Sequence, residues 1–299
     1  YPSSTVMNVV PAQVAGVPRI AVASPAQKDN DGLPSNVVLA TCALLGIDEV
    51  YSIGGASAIA AMAFGVPEIG MEPVRMVTGP GNIYVAAAKR QLRSQIAIDS
   101  EAGPTEILII ADESANPAFV AADLISQAEH DENAASVLLT DSQSLIEEVL
   151  RELERQGSKT ANSDRVASAL EGSQSALVLV ESIDQAIEIA NEYATEHLEI
   201  QTVDPAAISK RITNAGAIFL GDHTPVSLGD YLAGSNHVLP TGEQAKFASG
   251  LSVMSFLRSQ QVVNYSEQAL KEVASKLQVF AEAEGLPAHS EAVQIRFEN

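Results

Sequence analysis

What most constrains this chain is its rhythm. Short β-branched runs alternate with longer helical patterns from one end to the other, the arrangement of parallel sheets covered by helices. Strands are expected over 19–23, 49–53, 74–77, 106–110, 136–140, 176–180, 198–201 and 217–220. Between the fourth and fifth, Asn116-Pro117 reads as a helix start with a capping side chain and Pro in the first turn, and that helix carries Gln127 and His130 near its end. Gly103-Pro104 punctuates the chain before a new strand. This sets a first α/β unit at 1–104, a second at 105–250 and a helical tail at 251–299. At 299 residues, room for about two domains and a sizeable core is available.

Charge narrows the partners. A formal net charge of -21 disfavours nucleic acid and anionic membrane, both of which need a basic surface. No uninterrupted apolar run reaches the roughly 18 residues of a membrane span, and Tyr1-Pro2-Ser3-Ser4 has neither the charged nor the apolar region of a signal peptide. A cytoplasmic address is therefore expected. Cys42, the single cysteine, sits in an apolar run and reads as a small buried hydrophobe, not a nucleophile.

Of the five histidines, four stand in chemically loaded contexts. In Ser126-Gln127-Ala128-Glu129-His130 a carboxamide and an imidazole lie three residues apart on one helix face, a spacing that makes two arms of a metal site; the alternative is a His130 that stabilises the helix dipole and an Asp230 that forms a turn. Glu196-His197 falls where a helix gives way to a strand, and a carboxyl beside an imidazole is an acid-base pair or, alternatively, a surface Glu and a capping His. His237 follows Gly234-Ser235-Asn236, and His289 follows Glu284 by five residues in Pro287-Ala288-His289-Ser290, which looks like an ordinary turn. His223 has no motif around it and reads as a surface loop. Gly54-Gly55 and Gly79-Pro80-Gly81-Asn82 each follow a strand and open a helix, where glycine lets a phosphate approach backbone N–H groups. A tight turn is the alternative at either place.

Seven segments carry a resemblance when taken in order: Gly79–Asn82, 102–106, 126–130, Thr195-Glu196-His197-Leu198, Gly229-Asp230-Tyr231, 234–240 and Ala288-His289. From residue 2 to 296 the chain resembles the histidinol dehydrogenase family. The resemblance implies an α/β fold of two incomplete Rossmann-like, aldehyde-dehydrogenase-like domains with parallel-rich sheets, plus a helical C-terminal tail that crosses to the second subunit of a homodimer. It implies zinc on Gln127, His130, Asp230 and the partner-supplied His289, a mixed N/O donor set without thiolate. NAD is implied as cofactor near Gly54, Gly55, Ser57 and Asn82, and L-histidinol as a substrate oxidised to L-histidine through histidinaldehyde. By the same resemblance His197 is the general base, Glu196 activates the water that hydrates the aldehyde, and Thr105, Glu284 and His237 join these residues and the metal ligands around the substrate, His237 in a supporting role.

Two departures from the family pattern bear on that reading. Ser57 stands where the family commonly has a glutamine that reaches the cofactor, and Thr105 where it often has Ser. The family's N-terminal portion, with the glycine-rich loop and tyrosine that complete its NAD pocket, is expected to precede Tyr1. Two rivals remain open from sequence: a dehydrogenase on the same scaffold acting on another polyol or amino alcohol, and a noncatalytic metal-binding chain.

Overall fold

The computed structural model describes residues 1–101 and 103–298; Ala102, which opens the expected 102–106 motif, lies outside the described residues. The first hundred residues run α1 (Pro2–Val14), β1 (Val22–Ser24), α2 (Asn36–Leu44), β2 (Val50–Ser52), α3 (Gly55–Phe64), β3 (Met76–Val77), α4 (Ile83–Leu92) and β4 (Ala97–Ile98). Strands β1 and β2 pair in parallel, as do β3 and β4. Ile59 and Met62 of α3 close a core over Val77, Val85 and Ile96. A second cluster joins Val9, Val38 and Ile47 around Cys42. Burial pushes the Cys42 thiol up in pKa, which keeps it an inert thiol.

The following stretch contains β5 (Glu106–Ala111), α5 (Pro117–Ala128), β6 (Ala135–Thr140), α6 (Gln143–Gly157), α7 (Ser163–Glu171) and β7 (Ala176–Leu179). After these come α8 (Ile183–Tyr193), β8 (His197–Gln201), α9 (Pro205–Ser209), β9 (Ala217–Leu220) and α10 (Val226–Tyr231). They build a five-stranded sheet, all parallel, in the order β7-β6-β5-β8-β9. Central β5 is buried on both faces. Ile107 and Ile109 pack on Val120 and Leu124 of α5 and Val149 of α6, while Leu108 and Ile110 pack with Ala186, Ile187 and Ala190 of α8. That explains its near-continuous apolar run, since a strand covered by helices on both faces has no wet side.

Each of the eight expected strands is present, some with shifted ends. The run 19–23 pairs only from Val22 and 74–77 only from Met76, whereas the expected 198–201 starts one residue early, at His197. Strand β4 was not expected, because a two-residue ladder leaves no periodic signature. One placement is corrected: α5 ends at Ala128 with Glu129 as its C-cap, so His130 lies just past the helix instead of within it. Its N–H still bonds the Gln127 carbonyl at 3.2 Å, which continues the turn.

By its contacts the chain divides into Tyr1–Leu257 and Arg258–Asn299. The second unit holds α11 (Glu267–Ala283) and α12 (Pro287–Gln294), packed on each other. The expected turn at 287–290 is thus the first turn of a helix, because Pro is equally at home in the first turn of a helix.

A polar cluster lies within the core of the larger unit, around Glu199. Gln201 donates to Asp123 Oδ2 at 3.0 Å and to Glu199 Oε2 at 2.9 Å, and Glu199 Oε1 accepts the Val226 N–H at 3.0 Å. This cluster ties α5 and the first residue of α10 to β8. Burial first, and the nearby Asp123 carboxylate second, push the Glu199 carboxyl up to about 9. A carboxyl raised in the folded state stabilises fully below its unfolded pKa, and that contribution is lost as pH climbs through the folded value. Urea midpoints are therefore expected to fall between pH 5 and pH 9, with Glu199 contributing a slope of up to about 1.4 kcal/mol per pH unit. In Glu199→Gln the fall is expected to be shallower; an unchanged slope would show that Glu199 does not hold a proton in the native state.

Candidate functional site

Thr105, Glu196 and His197 meet at the amino end of the five-stranded sheet, where β5 and β8 begin side by side with Ile107 opposite His197. The chain reaches Glu196 through a forced turn. Ala194 caps α8 in the left-handed region at φ 52°, uncommon for a residue with a side chain, and is fully buried. Gly216 then passes so close that a Cβ there would lie 2.5 Å from the Glu196 carbonyl oxygen. Loops at the carboxyl ends of parallel strands are the usual place for ligands. Here Glu196 and His197 stand at the opposite edge.

The contacts at that edge form one network. Thr105 Oγ1 donates to Glu196 Oε2 at 2.5 Å, and the same carboxylate oxygen accepts the Glu106 N–H at 3.0 Å. Gln127 Nε2 donates to Thr105 Oγ1, so one hydroxyl links the end of α5 to Glu196. His197 Nδ1 lies 3.0 Å from the Glu106 carbonyl and 3.5 Å from Glu196 Oε2. A carbonyl only accepts, so Nδ1 carries the proton and Nε2 the lone pair. Nε2 is buried without a partner among the described residues.

Burial sets the protonation states. Desolvation pushes Glu196 up to about 8 against the opposing pull of the Thr105 hydroxyl and the Glu106 N–H, and it lowers the pKa of His197. The result is a neutral imidazole with a free basic nitrogen beside a carboxyl able to exchange a proton near neutrality. Sequence reading missed Glu106, whose side chain desolvation raises to about 7 and whose Oε2 is buried and unpartnered among the described residues. Its signals were its place in the 102–106 segment and a charged residue at the head of an otherwise apolar run.

The expected metal arms approach the same edge. Gln127 is 1% exposed and its Oε1 is buried without a partner among the described residues. His130 keeps more than a third of its surface in solvent, yet partial desolvation still lowers its pKa. The charge of Asp230, on α10, is felt by His130, Glu196 and His197 alike. His237 has both nitrogens occupied: Nδ1 lies 3.1 Å from the Asp230 carbonyl and Nε2 3.4 Å from Ser4 Oγ. Asn236 donates to the Met7 carbonyl at 2.7 Å, so α1 and the 234–237 segment brace each other beside Asp230. Among the described residues no three His, Cys, Asp or Glu side chains converge to hold a metal. An orphaned amide oxygen, a neutral imidazole and a nearby carboxylate nevertheless fit a hard N/O donor set. Glu284 caps the end of α11 and His289 lies on α12; both are exposed in the smaller unit.

The glycine loops sit at carboxyl ends of strands. Gly54 and Gly55 follow β2 and open α3, on whose first turn Ser57 is exposed. Gly79 to Asn82 follow β3 and open α4, where Asn82 Oδ1 accepts the N–H groups of Tyr84 and Val85 at 3.1 and 3.2 Å. That cap fixes the helix start and leaves the amide nitrogen of Asn82 without a partner among the described residues.

Parallel α/β layers with glycine turns at strand ends and a carboxyl beside an imidazole in a buried network define a Rossmann-like scaffold. The histidinol dehydrogenase family model matches residues 1–297. The chain is 60% identical over 298 residues to histidinol dehydrogenase from Leifsonia xyli subsp. xyli (strain CTCB07), covering 100% of this chain and 68% of that protein. It is 61% identical over 296 residues to histidinol dehydrogenase from Thermobifida fusca (strain YX), covering 99% and 67%. The crystal structure of histidinol dehydrogenase from Elizabethkingia anophelis superposes with a TM-score of 0.93 at 37% identity, covering 99% of this chain and 67% of that one. The chain belongs to the histidinol dehydrogenase family, and it spans about two thirds of the length of these relatives.

The hydrogen bond from His197 Nδ1 yields a direct spectroscopic expectation. With ¹⁵N-labelled histidine, His197 is expected to appear as the neutral Nδ1–H tautomer and to remain neutral at pH 6, below the ordinary histidine value near 6.5. An Nε2–H signal, or a protonated ring at pH 7, would contradict the assignment.

Proposed function

We propose that this chain catalyses the NAD-linked, four-electron oxidation of L-histidinol to L-histidine through histidinaldehyde, in the cytoplasm. The observation that carries the reading is the neutral, Nδ1-anchored His197 beside the buried Glu196, in a chain of this family. In each oxidation His197 Nε2 takes the proton of the substrate oxygen, because it is the one basic nitrogen in the network with no competing partner among the described residues. Glu196 takes a proton from the water that adds to the aldehyde and is held for this by Thr105 and the Glu106 N–H. Cys42, 1% exposed in the α2 core, leaves the water route preferred over a thiohemiacetal. NAD, when bound, supplies the hydride acceptor, and we assign its site to Gly54, Gly55, Ser57 and Asn82 within residues 1–104.

We assign zinc to Gln127, His130 and Asp230 of one subunit and His289 of its partner in a homodimer, with residues 105–250 as the catalytic part and 251–299 as the dimerisation tail. Bound there, zinc would supply a Lewis-acidic anchor for the substrate's imidazole and amine. The unpartnered Gln127 Oε1 and the lowered pKa of His130 support this donor set, since a ligand must be an available lone pair. Thr105, His237 and Glu284 complete the substrate surroundings in this reading. The tail supports the shared site in its own way: Val279 and Phe280 of α11 are 66% and 71% exposed, apolar surface that a second copy would cover.

Two experiments test the reading. His197→Asn is expected to suppress oxidation of both histidinol and histidinaldehyde by about 10²–10⁴-fold, whereas Glu196→Gln mainly suppresses the aldehyde step. Equal loss on the two substrates for Glu196→Gln would sink the division of roles. For the shared metal, His130→Ala and His289→Ala chains are each expected to lose zinc and activity. Mixing them should restore both in dimers where one site receives every intact ligand, and no recovery despite demonstrated subunit exchange would mean that each chain builds its own site.

A further inference from the structure

A buried ion pair lies beneath the loop that opens α4. Lys89, two turns into the helix, and Asp99, just after β4, are 2% and 3% exposed, with Nζ 2.6 Å from Oδ1. Each also holds one polar group of Gly79. The Gly79 N–H donates to Asp99 Oδ2 at 2.7 Å, and the Gly79 carbonyl accepts from Lys89 Nζ at 2.5 Å. Gly79 itself stands at φ 117°, a backbone region that favours glycine.

This arrangement is more than a surface turn requires. Taking two charges out of water is costly, and an apolar pair of similar volume would hold α4 on β4 as well or better. What an apolar pair cannot do is grip both the N–H and the carbonyl of one residue and so set the path of the residues that follow. Those residues, Pro80, Gly81 and Asn82, are exposed at the carboxyl end of β3 and lead into the α4 N-terminus. We infer that Lys89 and Asp99 are positioning residues for the dinucleotide: the pair clamps Gly79 so that the Gly79–Asn82 loop is held ready to receive NAD. The inference rests on the assignment of this loop to the cofactor.

The test replaces the pair by Lys89→Met with Asp99→Leu, which leaves no unpaired buried charge, and measures NADH binding by fluorescence titration together with KM for NAD and for histidinol. The expected result is a folded protein whose NADH Kd and NAD KM rise about tenfold, the equivalent of one lost charge-assisted hydrogen bond, with the histidinol KM within about twofold. Unchanged NAD parameters, or equal rises for both substrates, would overturn the inference, the latter because it reports a general structural role. If the double variant does not fold, Asp99→Asn is read in its place: weaker NADH binding supports the clamp and unchanged binding overturns it. Absence of histidinol turnover in the unmodified protein would count against the proposed activity and not against the clamp, which the NADH titration reads independently.

Discussion

The parallel pairing of β5 with β8 is the constraint on which the rest of the site depends. Because Ile107 lies opposite His197, the residues just before them, Thr105, Glu106 and Glu196, are brought within hydrogen-bond reach at one sheet edge. A slip of one residue would turn every side chain of β8 to the other face, sending Leu198 and Ile200 where Glu199 and Gln201 now sit. The apolar cores on both faces therefore enforce the register that brings Glu196 to Thr105 and Glu106. Packing and the placement of Glu196 beside His197 are one demand here, imposed on the same ladder.

Burial does the electrostatic work at that edge. Glu196 and His197 lose water together, and the loss moves both toward their neutral forms, upward for the acid and downward for the base. Thr105 and the Glu106 N–H keep the carboxyl from drifting further, while the Glu106 carbonyl selects the tautomer of the ring. The backbone pays locally for this placement through left-handed Ala194 and the close pass of Gly216, and the packed β8–β9 pair holds both in place.

Much of this was legible in the sequence, for definable reasons. Strands buried on both faces announce themselves as apolar runs, so β5 and β6 could be read from residues alone, whereas the grouping of five strands into one sheet could not. Asn116-Pro117 specified the start of α5, with Asn116 Oδ1 accepting the Ala118 N–H at 2.9 Å. The ends were harder. His130 falls outside its helix and 287–290 inside one, because Glu129 and Pro287 carry signals compatible with either state. Glu106 and the Lys89–Asp99 pair escaped notice for another reason: a lone charged residue in a helix or at the head of a strand resembles surface, and only the tertiary contacts show it buried. Glu199 and Gln201 gave a partial signal, as polar residues alternating with Leu198 and Ile200 in what proved to be an interior strand.

The two buried ionisable clusters share a logic. Lys89 and Asp99 fasten the loop at the head of α4, and Asp123, Glu199 and Gln201 fasten α5 and α10, whose far ends bear Gln127 and Asp230. Apolar contacts alone tolerate small slides of a helix along a sheet, since many arrangements of similar volume pack nearly as well. Hydrogen bonds between buried polar groups do not, because a displaced donor or acceptor in low dielectric loses its partner outright. Each cluster thus converts a loosely determined helix position into a fixed one. In both cases the fixed element carries groups assigned to a ligand, so the desolvation cost falls where precise placement is of most use.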